Sequence, residues 1–123
     1  MASLHNDVFD NGLNVIKNDT KNLYLLKADP GLLWSNIALH KLGTKAAPAI
    51  VAPADRLGGG REVVISAIPD GAVTGTNTAT HFALTDDSNS RILASGTISA
   101  SQVVTAGNIF TLTEFSIGIP NPA

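Results

Sequence analysis

The sequence predicts a mainly β protein, an antiparallel β-sandwich or jelly-roll-like fold with a short N-terminal helix, in a single domain of residues 1–123. Apolar and polar residues alternate after Arg61, which is the spacing of a half-buried strand. Short apolar runs are separated by turn-forming Gly, Pro, Asn and Asp residues. The last third of the chain is rich in small and β-branched residues and alternates in the same way. Together these patterns predict six to eight short strands.

Residues 1–20 are predicted to form a helical arm. Asn6 or Asp7 can cap a helix, because their side chains accept hydrogen bonds from the first turn. Apolar residues then follow near helical spacing, namely Val8, Phe9, Leu13, Val15 and Ile16. The helix is expected to end at Asn18–Asp19.

The next elements are a strand, a turn and a segment with two interpretations. Residues 22–27 (NLYLLK) form a short buried strand, and Asp29-Pro30-Gly31 has the composition of a turn. Residues 32–38 form either one helical turn or an irregular strand. Residues 39–45 are predicted to be an edge strand.

A long connector occupies residues 46–60 (AAPAIVAPADRLGGG). Its two prolines exclude it from the middle of a sheet, and three glycines end it. A loop of this length is longer than most connections, and such loops often contact a partner.

Strands of period two follow from Arg61. Val63, Ile65 and Ala67 share one face, and residues 68–71 (IPDG) are predicted to turn the chain. Residues 79–86 and 91–98 form a hairpin around the polar turn 86–90. The predicted core residues of the sandwich are Val63, Ile65, Phe82, Leu84, Ile92, Phe110 and Leu112.

The C-terminal segment changes parity. Residues 99–107 are expected to form a connection, after which Phe110 and Leu112 have one parity and Phe115 has the other. One extra residue near 113–114 reverses the faces of a strand, so a bulge is predicted there. The later face is then expected to leave the core and meet a neighbour. The interface candidates are Trp34, Ile50, Val51, Leu57, Phe115, Ile117 and Ile119.

Composition excludes several classes of function. Charged residues are 15% of the chain against a typical ~25%, so a surface buried by a partner is favoured. From Ile92 to Ala123 there is one ionisable side chain, Glu114, and charge is depleted where surfaces are fully desolvated. The net charge of −2 gives no basic excess for nucleic acid. With no Cys, no apolar run of membrane length and no secretory signal pattern, we expect no disulfide, thiolate metal site, membrane span or leader.

Candidate metal and phosphate sites are weak. The three histidines, His5, His40 and His81, have no ligand spacing and are predicted to be surface or interface residues. The turn Asp86-Asp87-Ser88-Asn89 lacks the frame and closing Glu of an EF-hand, so a polar hairpin turn is favoured over a calcium loop. Gly58-Gly59-Gly60-Arg61 has no following Lys-Ser/Thr, which favours a flexible turn over a phosphate loop.

No enzyme is predicted. Ser95 and Ser99 lack the GxSxG frame of a nucleophile elbow. A competing hypothesis is a small glycan hydrolase or lyase, which would need Asp86 or Asp87 paired with Glu114. Trp34 could stack on a sugar, although a core or interface role is commoner for a single Trp. We therefore expect neither a cofactor nor a metal.

Several sequence segments resemble small virion-associated proteins of tailed bacteriophages. The segments are LGTKAAPAI, PADRLGGGREVVI, GTNTATHFAL, RILASGTIS and SQVVTAGN, together with VFDNGLNVIKND and NLYLLKADP near the start. The resemblance spans most of the chain and carries over no functional residues. It implies a structural protein of the phage particle, either a capsid decoration (cement) protein or a tail or fibre component.

Capsid decoration is favoured by the chain's size and composition. A small, charge-poor β domain with a long Pro/Gly loop suits a protein that covers the seams between capsid subunits. A fibre would more often show repeats or a coiled coil. The expected partners are the major capsid protein and other copies of the chain, most simply as a trimer. The expected location is the capsid exterior, after synthesis in the host cytoplasm. The alternative is a tail or fibre component that attaches to host-surface glycans.

Overall fold

The structure is a computed structural model that describes the backbone of residues 6–120 and the side chains of residues 10–120. The mainly β fold is confirmed, with antiparallel sheets and a helix near the N-terminus. The elements in chain order are α1 (Asn6–Asp19), β1 (Asn22–Leu26), α2 (Ser35–His40), β2 (Lys41–Ala46), β3 (Ala54–Asp55), β4 (Arg61–Ile65), β5 (Ile68–Val73), β6 (Asn77–Asp86), β7 (Arg91–Val104), β8 (Ile109–Leu112) and β9 (Phe115–Ile119).

The strands form two antiparallel sheets. The larger has the order β7-β6-β1-β2-β5-β8 and curls into a half-barrel, and the smaller has the order β3-β4-β9. The chain leaves the larger sheet at Leu112 and joins the smaller one at Phe115. The change of parity predicted near 113–114 is therefore a change of sheet, not a bulge within one strand.

One hydrophobic core lies between the two sheets and α1. All seven predicted core residues are buried, from Val63, Ile65 and Leu84 at 0% exposure to Ile92 and Leu112 at 8%. Six of them belong to this core, which also includes Leu13 and Ile16 of α1. The predicted helix and its end at Asp19 are confirmed, whereas the side chains of residues 6–9 lie outside the described part.

A second, smaller core lies under the excursion between β1 and β2. It contains Leu26, Ile37, Ala83 and Ile92, with Tyr24 and Trp34 packed against it. The predicted turn is confirmed, since Asp29 Oδ1 accepts a hydrogen bond from Gly31 N at 2.9 Å and Gly31 has a φ of 60°. Residues 32–38, predicted to be either one helical turn or an irregular strand, contain the start of helix α2 at Ser35.

Four local predictions are wrong. The strand β2 lies between β1 and β5, not at an edge, because its second neighbour comes from a distant part of the sequence. Residues 68–71 belong to β5 instead of turning the chain; Pro69 is tolerated because the register with β8 is irregular between Ile68 and Gly71. The strand β7 continues to Val104, through the region expected to be a connection, and Ala67 is exposed beyond the end of β4.

Candidate functional site

The charge-poor part of the chain lies at the molecular surface. Between Ile92 and Pro120, the side chains of β7, β8 and their connections are largely exposed, and Glu114 is the one ionisable residue in this range. Val103 is 82% exposed and Ile109 is 64% exposed. The shortage of charge is therefore not explained by burial within the monomer.

The edge strand β7 bows away from its neighbour in the middle. Thr97 pairs with His81 and Gln102 pairs with Ala79, so residues 98–101 lie opposite Thr80 alone. Bulges of this kind are frequent at sheet edges, where the unpaired side of the strand leaves room for extra residues. The bulge brings these residues towards the junction of β8 and β9.

A cleft, here called the seam cleft, separates the β7 bulge from the β8–β9 junction. Its volume is about 240 Å³, and its lining includes Phe82, Ile98, Leu112, Glu114 and Phe115. The rings of Phe82 and Phe115 lie 4.6 Å apart, centroid to centroid, where the two sheets meet. The seam cleft thus combines apolar side chains with a single carboxylate.

A shallower depression of about 390 Å³ continues from the seam cleft and shares Ser99, Leu112 and Thr113 with it. Gln102 and Thr111 bridge the two edge strands in the same region, since Gln102 Nε2 donates a hydrogen bond to Thr111 O at 2.7 Å. The half-barrel is therefore joined there by a side chain and not by a ladder of backbone hydrogen bonds.

A second surface feature is the turn Arg56–Gly60, here called the Leu57 turn. Leu57 is 98% exposed at its tip. Gly59 N donates to Arg56 O at 3.0 Å, Arg56 N donates to Gly60 O at 3.1 Å, and Arg56 Nη1 donates to Gly59 O at 3.2 Å. Gly60 has a φ of 87°, and a Cβ there would lie 2.0 Å from Ile119 O, so the position requires glycine.

The base of the Leu57 turn is anchored by Arg61. Its guanidinium group donates to Asp10 at 2.9 and 3.1 Å, to Asp55 at 2.8 Å and to Pro53 O at 3.3 Å. The hydrogen bonds to Asp10 and Asp55 raise the pKa of Arg61 above its usual range. This network ties the connector, β4 and α1 together, so the turn projects from a fixed base.

A third feature is a group of exposed leucines on the excursion between β1 and β2. Leu32, Leu33 and Leu39 are 75%, 60% and 65% exposed. Trp34 is partly buried and packs against the second core, so its ring is an anchor of the excursion. Ser95 Oγ donates to Gly31 O at 3.3 Å and fixes the same excursion to β7.

The structure separates the interface candidates into two groups. Val51 and Leu57 are exposed, at 52% and 98%. Ile50 and the three apolar residues of β9 are partly buried and packed against the main core. The expectation that the face of β9 leaves the core is therefore wrong, because β9 pairs with β4 and its sheet covers the same core from the other side.

The acidic turn 86–90 forms a polar network in which most acceptors are bonded, although Asp86 Oδ1 is buried without a partner. Asp87 accepts hydrogen bonds from Thr85 Oγ1 and Tyr24 OH, each at 2.6 Å, and Asp86 Oδ2 accepts from Asn89 at 2.8 Å and Arg91 at 3.0 Å. Each carboxylate oxygen of Asp87 thus accepts a hydrogen bond. Among the described residues no group of three or more His, Asp or Glu side chains could hold a metal ion. The predicted hairpin turn is confirmed.

This network changes three pKa values. Hydrogen bonds from Asn89 and Arg91 lower the pKa of Asp86 in spite of its burial. Burial alone would raise the pKa of Asp87, but hydrogen bonds from Thr85, Tyr24 and Asn22 outweigh it and lower the value. Burial, and then the bond to Asp87, raise the pKa of Tyr24 to about 12.

The structure does not bring the hypothetical acid pair together. Glu114 precedes Phe115, whose ring contacts Phe82. Asp86 lies four positions farther along β6 than Phe82, which is roughly 13 Å at the rise of a strand. His81 Nδ1 lies 2.8 Å from Thr80 Oγ1, His40 is partly buried, and His5 lies outside the described residues.

Within residues 6–120 no helix has the length and apolar character needed to cross a membrane. No protein-family model, no curated protein and no solved structure matches this chain. The seam cleft was not predicted from the sequence. The change of parity at Thr113-Glu114 marks the β8–β9 junction, which forms part of its lining.

Proposed function

We propose that this chain is a non-enzymatic structural protein of a tailed-phage particle, and specifically a capsid decoration protein that binds the major capsid protein. The observation that carries the proposal is the exposed, almost uncharged surface of β7, β8 and their connections. Charged residues are depleted at the desolvated centre of an interface, so a surface this poor in charge is typical of one that a partner buries. The resemblance to virion proteins supports the same class.

The apolar side chains on the outside of the fold support binding to protein. They include Leu32, Val51, Leu57 and Val103, which lie on different segments of the chain. A decoration protein needs such side chains because it contacts both the capsid lattice and its own neighbours. We propose a homo-oligomer, most simply a trimer, on the capsid exterior.

The experiment that tests this function compares phage particles with and without the protein. On our proposal, stained gels of purified particles show hundreds of copies, and heads that lack the protein lose DNA or break at lower temperature. A few copies per particle, with sound heads and poor adsorption to host cells, would instead identify a tail or fibre component. Absence from purified particles would reject both locations.

The competing enzymatic function has its own test. Asp86→Asn combined with Glu114→Gln removes both charges of the hypothetical acid pair. We expect this variant still to be found on purified particles, provided that its folded fraction is matched to that of the wild type by circular dichroism. A glycan-cleaving activity in the wild type that disappears in the double variant would contradict the proposal.

A further inference from the structure

We propose that the Leu57 turn of one copy inserts into the seam cleft of a neighbouring copy, with Arg56 placed beside the neighbour's Glu114. The inference rests on the proposed function, because it supplies the contact between copies that a decoration protein needs. It commits to one occupant for the cleft, a second copy of this chain. The Leu57 turn and the seam cleft match in shape, apolar character and charge.

The Leu57 turn has the properties of a preformed docking element. Leu57 is almost fully exposed, yet its turn is held by the two backbone hydrogen bonds and the Arg56–Gly59 bond described above. A leucine held in this way loses little conformational freedom on binding, which favours association. An exposed apolar tip on a fixed turn is costly in water and gains by burial.

The seam cleft has matching chemistry. Its volume of about 240 Å³ exceeds the ~150 Å³ of an apolar cavity that accepts benzene, so a leucine side chain fits within it. Ile98, Leu112 and the two phenylalanine rings supply apolar contacts. The hydroxyl groups of residues such as Thr97, Ser99 and Thr113 form part of the surrounding lining.

The charges are complementary. Among the ion pairs of the described residues, neither Arg56 nor Glu114 takes part. Arg56 adjoins the exposed leucine, and Glu114 is the one carboxylate in the lining of the cleft. A guanidinium–carboxylate hydrogen bond is about twice as strong as one between neutral groups and would fix the orientation of the inserted turn.

The two surfaces lie at opposite ends of β9. Gly60 of the Leu57 turn contacts Ile119 at the end of the strand, whereas Phe115 at its beginning lines the seam cleft. These positions are four residues apart, or roughly 13 Å along the strand. Contact between two different patches is heterologous, and such contacts close into rings when the rotation allows it. A trimer is one such ring.

The test is sedimentation of the purified protein over a range of concentrations. We expect the wild type to associate reversibly, and Leu57→Ser to weaken the association about tenfold to a hundredfold, as the loss of one buried leucine predicts. Glu114→Arg should weaken it as well, because Arg56 then meets a like charge. Leu32→Ser is the matched control, since it removes another largely exposed leucine, at 75% exposure, from a different surface.

The charge-swapped double variant Arg56→Glu, Glu114→Arg decides whether the two residues meet. If they do, association returns towards the wild-type strength in the double variant, although Glu114→Arg alone is weakened. Circular dichroism and thermal melting establish that each variant is folded. Because Arg56→Glu also removes the hydrogen bond to Gly59 O, the reference is the neutral pair Arg56→Gln, Glu114→Gln. A swap that associates no better than this neutral pair would show that Arg56 and Glu114 are not partners.

The inference is overturned if the wild type stays monomeric at every concentration. It is also overturned if Leu57→Ser associates as strongly as the wild type. The proposed function is judged separately, on purified particles. If the Leu57→Ser variant reaches the full copy number on stable heads, the Leu57 contact is rejected and the decoration role still stands. Absence of the wild type from particles would reject the proposed function, whatever the sedimentation shows.

Discussion

At the scale of single residues, Phe82 connects the two sheets. It belongs to β6, is 7% exposed, and its ring contacts Phe115 of the smaller sheet. Phe82→Ala should lower the free energy of unfolding by ~3–5 kcal/mol, because the cavity would lie where both sheets meet. Denaturant unfolding measures this change.

The control for Phe82 is Val103→Ala, at a position that is 82% exposed. This change should alter the free energy of unfolding by less than ~0.5 kcal/mol. Equal effects of the two substitutions would show that Phe82 is not a core residue.

Tyr24 gives a spectroscopic test of the polar network. It is the one tyrosine of the chain, so tyrosinate absorbance reports it alone. We expect a titration midpoint of about 12 in the folded protein, since burial and the bond to Asp87 raise the pKa. The unfolded chain should titrate near ~10. Because the folded-state pKa is the higher one, this contribution to stability is complete below pH ~10 and is lost as the pH rises towards ~12.

Asp87→Asn tests the cause of the Tyr24 shift. The variant removes the charge next to the phenol but leaves the burial, so the midpoint should fall without reaching the unfolded value. Concentrated urea supplies the unfolded reference for both proteins. A wild-type midpoint equal to that reference would mean that Tyr24 is neither buried nor bonded to Asp87.

At the scale of the elements, β9 has the clearest correction. The sequence predicts a change of parity before β9, and the structure has one, but it moves the strand into a second sheet that covers the same core. Ile117→Asp should therefore destabilise the domain by roughly 2–4 kcal/mol, since it places a carboxylate against that core. Chemical denaturation measures the loss.

Ser116→Asp is the matched control for β9, because the neighbouring side chain is exposed. It should leave the unfolding midpoint almost unchanged. If Ile117→Asp is as stable as this control, then β9 presents its apolar face to the outside, as the sequence pattern alone had indicated.

Local patterns located most of the strands but not their neighbours. Alternation identified the buried residues of β4 and β8 and one buried face of β6, and turn composition identified the hairpin at 86–90. Alternation did not identify Ala83 and Thr85, which are buried on the other face of β6. Pairing of β2 with β5 depends on contacts between distant segments, which no local pattern contains. Likewise the seam cleft combines the bulge of β7 with the β8–β9 junction. Its parts were visible in the sequence, whereas their proximity depends on the curl of the sheet.

At the scale of the whole molecule, the fold has a main core enclosed by two sheets and a helix, and a smaller core under the excursion between β1 and β2. The larger sheet ends in two edges, β7 and β8, that face each other across a gap bridged by Gln102. The gap leaves backbone groups of both edges without a ladder partner. Natural proteins usually protect edges with charge or a bulge, and here the bulge of β7 does so almost without charge.

The Arg61 network also has a consequence for the kinetics of assembly. Asp10 holds the base of the Leu57 turn from a position 51 residues away in the chain, so docking of α1 completes the anchoring of that base. Asp10→Asn should leave the domain folded but slow the association of copies, because a mobile turn meets its partner in the productive orientation less often. Stopped-flow light scattering measures this rate, and an unchanged rate would show that the turn is rigid without the helix. A slower rate would show that docking of the N-terminal helix delays assembly until folding is complete.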